Sequence, residues 1–382
     1  MGMTKLRADF SIVTPLFMGG ADPQSAELRV SGMKGMLRFW WRALAWSRLK
    51  SVDQVRSEEA KIFGSTEEGQ SSVKIRLLPP KKTVPIKKKS VLSYNDGTDA
   101  GEGSIYLGYG LIEANGELNR RCLGYPIEDG ALELSFLPST PEDNIKSVEA
   151  ALLAMGFFGG LGSRSRKGYG SFNLKKLTRD DETDPVFISP SDKDGLKRAI
   201  LNLFDPDGRY KILRYDGLPP YTAFSKMMRI DILDTSDEPL RLLNSIGDKM
   251  MEYRSYRKEK NFLDDYKLIR DALAGNVIYN HPKRSIFGLP HNYYFSSTKE
   301  SAKVKPKDHE RRASPLFNHI QRMNESQFAA ITAIIPADFL PHGEKIMVGD
   351  SPVDADVNGY KVLHEFIDGR DTPRFASLVR VI

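Results

Sequence analysis

The apolar positions of this 382-residue chain change period several times along its length. Leu6 to Gly20, LRADFSIVTPLFMGG, opens with strand-like alternation. Pro15 turns the continuation into an edge or a bend, and Gly19-Gly20 opens a loop. Ser31 to Lys50, SGMKGMLRFWWRALAWSRLK, has the strongest helical period, with Ser31 as the expected N-cap. At about 100° per residue, Met33, Met36, Leu37, Trp40 and Leu44 share one side. Lys34, Arg38, Arg42 and Arg48 share another, with Trp41 at its border. Glu58–Ser65 reads as a short helix closed by Gly64, Ser72–Pro80 as a strand, and Lys81–Lys89 as a polar loop.

GSIYLGYGLI (103–112) and GALELSFLP (130–138) alternate as two further strands. Ser139–Gly156 reads as a helix, with Thr140 able to cap, Pro141 in the first helical position and acids in the first turn. It runs into GGLGSRSRKGYGSF, Gly159–Phe172, and Gly170–Leu177 leaves as a strand. The order strand, helix, strands, helix, Gly-rich loop, strand suits a ferredoxin-like α+β sandwich. Thr178–Gly195 is acidic and rich in turn formers, so the expected division falls there, giving domains 1–180 and 181–382. Beyond it, helices are expected at 196–204, 239–256 and 359–367, and strands near 223–233, 328–335 and 344–348. A basic, loop-rich region covers 280–315.

Charge sharpens this picture. The chain carries a net +6, concentrated in three segments. Arg29–Lys50 holds six basic residues and no acid, and Gly156–Lys176 holds five and no acid. Asn280–Arg312 holds eight against three acids. Together these segments carry +16, so the rest of the chain is about −10. Such clustering is the footprint of phosphate binding. The candidate binding residues are Lys34, Arg38 and Arg42 on the helix and Gly160, Gly162, Arg164, Arg166 and Lys167 in the loop. Arg284, Arg311 and Arg312 join them in the third zone, with Trp41 and Tyr293 able to stack on bases.

Other chemistries fit poorly. A Walker loop needs Gly-Lys before Ser or Thr, whereas Lys167 precedes Gly168. A Rossmann turn follows a strand, whereas this loop follows a helix. The loop's glycines also serve a sharp helix-to-strand turn whatever it binds. The six histidines show no metal-ligand spacing, a nucleophile elbow is absent, and no cofactor or metal is expected. His281, His291 and His309 keep open a metal-independent ribonuclease reading. Cys122 is the only cysteine, which suits a reducing compartment, and no apolar run reaches a membrane span. A cytoplasmic protein is expected.

The Pro-Leu-Phe…Gly-Gly strand, the GMKGMLRFWWRAL helix, IFGS and GGLGSRSRKGYGSF together resemble the RAMP superfamily of CRISPR RNA-binding proteins. The FWWRA helix and RRASPL resemble the first RAMP subunit of the Cmr-type (type III-B) effector complex. The resemblance implies tandem ferredoxin-like domains and a subunit of an RNA-guided complex that silences complementary RNA. It implies guide RNA, target single-stranded RNA and other Cmr subunits as partners. It also implies a place near the guide's 3′ end and a role in contacting RNA rather than cutting it. The family's Gly-rich loop maps onto Gly159–Phe172, and its basic helix onto Lys34, Arg38 and Arg42. The histidine of RAMP processing nucleases has no match in the first 280 residues. Readings with a histidine-dependent ribonuclease or a structural adaptor stand as alternatives.

Overall fold

The structure is a computed structural model that describes all residues except 1, 21, 23–24, 89–101, 112–116, 213–215, 256–257, 356–359 and 371. In chain order, the first half runs β1 (Lys5–Ile12), α1 (Val30–Leu49), α2 (Val52–Phe63), β2 (Val73–Leu78), β3 (Pro85–Lys88), α3 (Glu102–Leu107), β4 (Glu117–Leu123), β5 (Ile127–Phe136), α4 (Glu142–Phe158), β6 (Phe172–Arg179), β7 (Phe187–Ile188) and α5 (Lys193–Leu203). The second runs β8 (Arg229–Ser236), α6 (Pro239–Arg254), α7 (Leu263–Leu273), a 3₁₀ turn (Lys283–Phe287), β9 (His291–Phe295), β10 (Glu300–Pro306), β11 (Leu316–Arg322), β12 (Phe328–Ile334), β13 (Ile346–Val348), β14 (Ser351–Val353), α8 (Lys361–Asp368) and β15 (Val379–Arg380).

The main sheets repeat one topology. The first has the order β2-β5-β1-β6-β7, all antiparallel, with α1 and α2 between its first two strands and α4 before β6. The second has the order β11-β12-β8-β15, with α6 after β8 and α8 before β15. In each, the second, third, first and fourth strands lie side by side, the ferredoxin-like arrangement. A third sheet, β14-β13-β10-β9, is built from segments inserted within the second unit. A small pair, β3-β4, attaches to the first.

Helix α4 explains how the two main sheets meet. Its residues from Val148 to Phe158 are all buried, as expected for a helix apolar all round and packed on every side. Its one buried acid, Glu149, is held by Arg209 (2.9 Å) and Arg179 (3.4 Å). Strand β12, FAAITAI, is buried at every position. Ala329, Ile331 and Ala333 share the core of the first sheet, whereas Phe328, Ala330 and Ile334 face the core around α6 and α8. A continuous apolar run in an antiparallel strand thus reports a sheet covered on both faces.

Several sequence expectations change. Gly103–Ile112, read as a strand, forms α3 and a following turn, with Ile112 outside the described residues. Its partner is α6, reached through glycine. A Cβ on Gly103 would lie 2.1 Å from Asn244 O, and one on Gly247 would lie 2.0 Å from Gly103 O. Only bare glycine backbones allow this approach. Part of the polar loop 81–89 pairs as β3 with β4, and Lys89 lies outside the described residues. The loop-rich region 280–315 contains β9 and β10, with Ala302 and Val304 inward and Lys303 and Lys305 outward. The short helix at 58–65 starts earlier, at Val52, under a Ser51 cap, and Gly64 closes it. Neither Ser31 nor Thr140 caps its helix: the N-cap positions are Arg29 and Pro141, without side-chain cap bonds. The strand expected at 223–233 begins only at Arg229, because Phe224 N is taken by Ala43 O of α1 (3.0 Å).

Candidate nucleic-acid interface

The helix α1 lacks an acid of its own but receives one from its neighbour. Glu59 of α2 is buried, and its Oε1 accepts from Arg38 Nε and from Arg42 Nη1, both at 2.6 Å. Lys34 Nζ donates to Phe63 O at 2.9 Å. The basic face is therefore partly neutralised and tied to α2. Trp41 is 1% exposed. Its Nε1 donates to Ser147 Oγ (2.8 Å), and its ring meets Phe63 edge-on. Trp41 is a core residue and cannot stack on a base, which corrects the sequence expectation. Trp46, on the same helix, is also buried. The helical period placed these residues at the edge of the polar face, and packing of α2 and α4 carried that edge inside.

The Gly-rich loop leaves α4 and enters β6 at the junction of the two main sheets. Gly160 pairs with Ser171 as a β-bridge and is buried. Its Cβ would lie 2.8 Å from Tyr169 O. Gly160 therefore serves the turn and offers no surface to a phosphate, against expectation. Gly162 has φ +76° and is exposed, and a Cβ there would lie 2.3 Å from Phe17 O. Glycine is required at that position. Arg166 Nη1 donates to Ser314 O (2.5 Å), and its guanidinium lies 4.4 Å from the Phe317 ring centre. Arg166 O accepts from Asn318 N (3.0 Å), while His319 Nδ1 donates to Gly159 O (2.8 Å). With Ser171 Oγ, which accepts from Ile320 N (3.0 Å), three loop residues bond to β11. Burial, then the field of Arg312, lowers the Arg166 guanidinium to about 10. Arg166 is a tie between the two sheets rather than a free phosphate ligand, a third correction.

Lys167 points inward beside Met250, with Nζ 4.0 Å from the thioether sulfur. Burial, then Arg254, Arg164 and Arg166, bring its ammonium down to about 7. Arg164 behaves differently. It is exposed, holds φ +61°, and donates from Nη2 to Tyr109 O. Its pKa falls from its ordinary value through burial and through nearby Arg311.

The third basic zone also divides. Arg312 donates to the carbonyls of Phe339, Ala313 (3.1 Å) and Asp338 (3.3 Å), so it fixes a turn. Tyr293 is 4% exposed, and Arg284 lies over its ring at 5.5 Å. Tyr293 therefore cannot stack on an incoming base as expected. Arg311 is exposed, with no hydrogen bond or ion pair to another described residue.

The exposed group that remains is Arg164, Arg311, Gly162 and Tyr109. Tyr109 is 79% exposed, one of the most exposed large side chains described. It follows α3, and Arg164 ties down its carbonyl. Sequence reasoning missed it because it sat inside a strand-like alternation. Its signal was the Gly-Tyr-Gly triplet at 108–110: a strand core seldom places an aromatic between two glycines. The group offers two guanidiniums for phosphates and one ring for a base.

The histidines of the nuclease alternative have separate partners. His281 stacks on Phe339 (centroids 6.3 Å, 9°), His291 contacts Arg254 (3.3 Å), and His309 Nδ1 meets Glu344 (2.8 Å). Among the described residues, no three His, Cys, Asp or Glu side chains group as a metal site, and no helix is long and apolar enough to cross a membrane.

Residues 9–173 match the RAMP superfamily. The chain is 30% identical over 183 residues to the CRISPR system Cmr subunit Cmr1-2 of Pyrococcus furiosus, covering 44% of this chain and 94% of that one. It is 25% identical over 321 residues to Cmr subunit Cmr1-1 of the same organism, covering 82% of each. The crystal structure of apo Cmr1 from Pyrococcus furiosus is similar over 100% of this chain and 99% of that one, with TM-score 0.57 and 20% identity. A chain in the cryo-EM structure of the type III-B Cmr-beta bound to cognate target RNA is similar over 89% of this chain and 97% of that one, with TM-score 0.51 and 13% identity. These two likenesses are of fold.

Proposed function

This chain belongs to the Cmr1 subunits of the RAMP superfamily, and from that premise we propose that it is a non-catalytic, single-stranded RNA-binding subunit of an RNA-guided RNA-silencing complex. Its partners are guide RNA, target RNA and the other Cmr subunits, and its place is near the guide's 3′ end. The division into domains 1–180 and 181–382 is part of this reading, with the Gly-rich loop at their junction. The observation that carries it is the exposed group Tyr109, Gly162, Arg164 and Arg311: Arg164 is bonded to the backbone of the exposed Tyr109 and lies in the field of Arg311. Guanidiniums grip phosphates without reading sequence, and a tyrosine face accepts any base. Sequence choice then falls to guide pairing, as in other RNA-guided systems. The likeness to a chain from a complex bound to target RNA supports the same assignment.

Filter binding of a labelled single-stranded RNA across a salt series tests this. Affinity should fall as salt rises and vary little with sequence. Salt-independent binding would refute the reading. The nuclease alternative has its best footing in His309, exposed and oriented by Glu344. Cleavage of RNA by pure protein in EDTA, abolished by His309→Ala, would replace the non-catalytic reading. The adaptor alternative predicts that Arg164→Gln with Arg311→Gln breaks assembly and spares RNA binding.

A further inference from the structure

Behind the exposed group lies a second set of cations that the RNA reading does not use. Lys167 enters it from the loop, Arg254 from the C-terminus of α6, Arg284 from the 3₁₀ turn, and His291 and Tyr293 from β9. Arg254 Nη2 is 3.3 Å from His291 Nε2. His291 lies in the combined field of Arg254, Arg284 and Lys167, and Tyr293 in that of Arg284 and Arg254. Burial and these three cations hold the His291 imidazole well below its ordinary pKa, hence neutral. Asp265 is the carboxylate whose field reaches Arg284 and Tyr293. Its two oxygens already accept Lys283 N (2.7 Å) and Arg284 N (2.9 Å).

Arg284 Nη1 reaches the Tyr266 hydroxyl at 3.4 Å, but other donors of this set are unspent. Arg254 Nε, Arg284 Nε, His291 Nδ1 and the Tyr293 hydroxyl are buried atoms with no hydrogen-bond partner among the described residues. Lys167 has only the thioether of Met250, a weak acceptor. Buried donors left unpaired are costly, and like charges held together add to the cost. Yet Lys167, Arg254, Arg284 and His291 each keep part of their surface exposed. Guanidinium forks beside an ammonium match the tetrahedral oxygens of phosphate better than a single-point anion.

We propose that Lys167, Arg254, Arg284, His291 and Tyr293 form an internal receptor for one phosphate group, entered beside the Gly-rich loop. The site stands on its own geometry; it rests on the RNA reading only for the source of the phosphate, an RNA chain or the free anion. A bound dianion accepts from the idle donors, among them His291 Nδ1–H, which the neutral ring already carries because Nε2 accepts from Arg254 Nη2.

The test follows the His291 imidazole by NMR and the Tm of the full chain at pH 7 while inorganic phosphate replaces chloride at constant ionic strength. We expect the His291 Nδ1–H signal to shift downfield as it gains an acceptor, and Tm to rise. Arg254→Met should remove both responses, and Lys167→Met should weaken phosphate binding at least tenfold. If Arg254→Met fails to fold, Lys167→Met and Arg284→Met carry the test. A wild-type response to phosphate no greater than to chloride overturns the proposal. Tyr109→Ala with Arg164→Gln should lose RNA binding and keep the phosphate response, which separates this site from the RNA reading. A short oligoribonucleotide that moves the His291 signal makes RNA the source. A signal moved by inorganic phosphate alone makes the free anion the source.

Discussion

The basic face of α1 and the Gly-rich loop look alike in sequence and differ in the fold. Each is a run of cations without a local acid. In α1 the missing acid arrives from α2: one buried carboxylate, Glu59, takes both Arg38 and Arg42. In the loop no acid arrives from among the described residues. Arg164 and Arg166 meet backbone carbonyls, Lys167 meets a thioether, and the nearest charges are Arg254, Arg311 and Arg312. A carbonyl accepts a hydrogen bond but leaves the positive charge in place. Absence of acid along the chain is therefore weak evidence, and absence of acid in space is what marks an anion site.

This contrast can be strained at several points. The largest effect concerns the loop's anchor. His319 is buried, burial lowers its pKa to about 4, and its Nδ1 holds Gly159 O. The unfolded chain binds that proton near pH 6.5, so the stability is present above that pH and lost as pH falls toward 4. The loss is about 3 kcal/mol. Urea denaturation at pH 7.5 and 4.5 should show it, and His319→Gln should reduce that difference. His291 and His364, also lowered by burial, add slope of the same sign.

Next, Glu59→Ala strands two guanidiniums and should cost about 2 kcal/mol in urea denaturation, less than a fully buried pair because both arginines are partly exposed. Tyr109→Ala should weaken single-stranded RNA binding about tenfold with Tm unchanged, as expected for one lost stacking platform. Arg164→Gln and Arg311→Gln should each weaken it about fivefold at low salt and reduce the slope of log affinity against log salt by about 0.7. The smallest effect is the sharpest test. Arg38→Gln and Arg42→Gln should change RNA affinity by less than about twofold, because Glu59 already occupies them. An effect there equal to that of Arg164→Gln would erase the distinction between the two regions.

Much of the fold was legible. The helical period of Ser31–Lys50 predicts α1 within one residue at each end, and Gly64 ends α2 as expected. The Gly-rich stretch turns from helix to strand as read, with its positive φ at Gly162, Gly168 and Gly170. The strand-helix order gave the ferredoxin-like arrangement of the first sheet. What stayed hidden depended on partners distant in sequence. Helix α3 is six residues long, too short to form by propensity, and exists because Gly103 and Gly247 allow close packing on α6. The candidate site keeps Arg164, Gly162 and Arg311, which are exposed as a binding surface requires. It was misread at Trp41 and Tyr293, whose aromatic character says equally well "core" and "stacking platform" until burial decides. Arg254 was overlooked because it ends an amphipathic helix far from the three basic stretches.

The bonds from Arg166 O to Asn318 N and from Gly159 O to His319 Nδ1 make the loop a joint as well as a grip. Arg164, Arg166, Lys167, Arg254, Arg311 and Arg312 crowd that joint with charge of one sign. Their mutual repulsion works against the contact between the two sheets, and a polyanion laid there would relieve it. On the proposed function, RNA would then favour the joined arrangement, and by linkage a partner that holds the two sheets together would favour RNA.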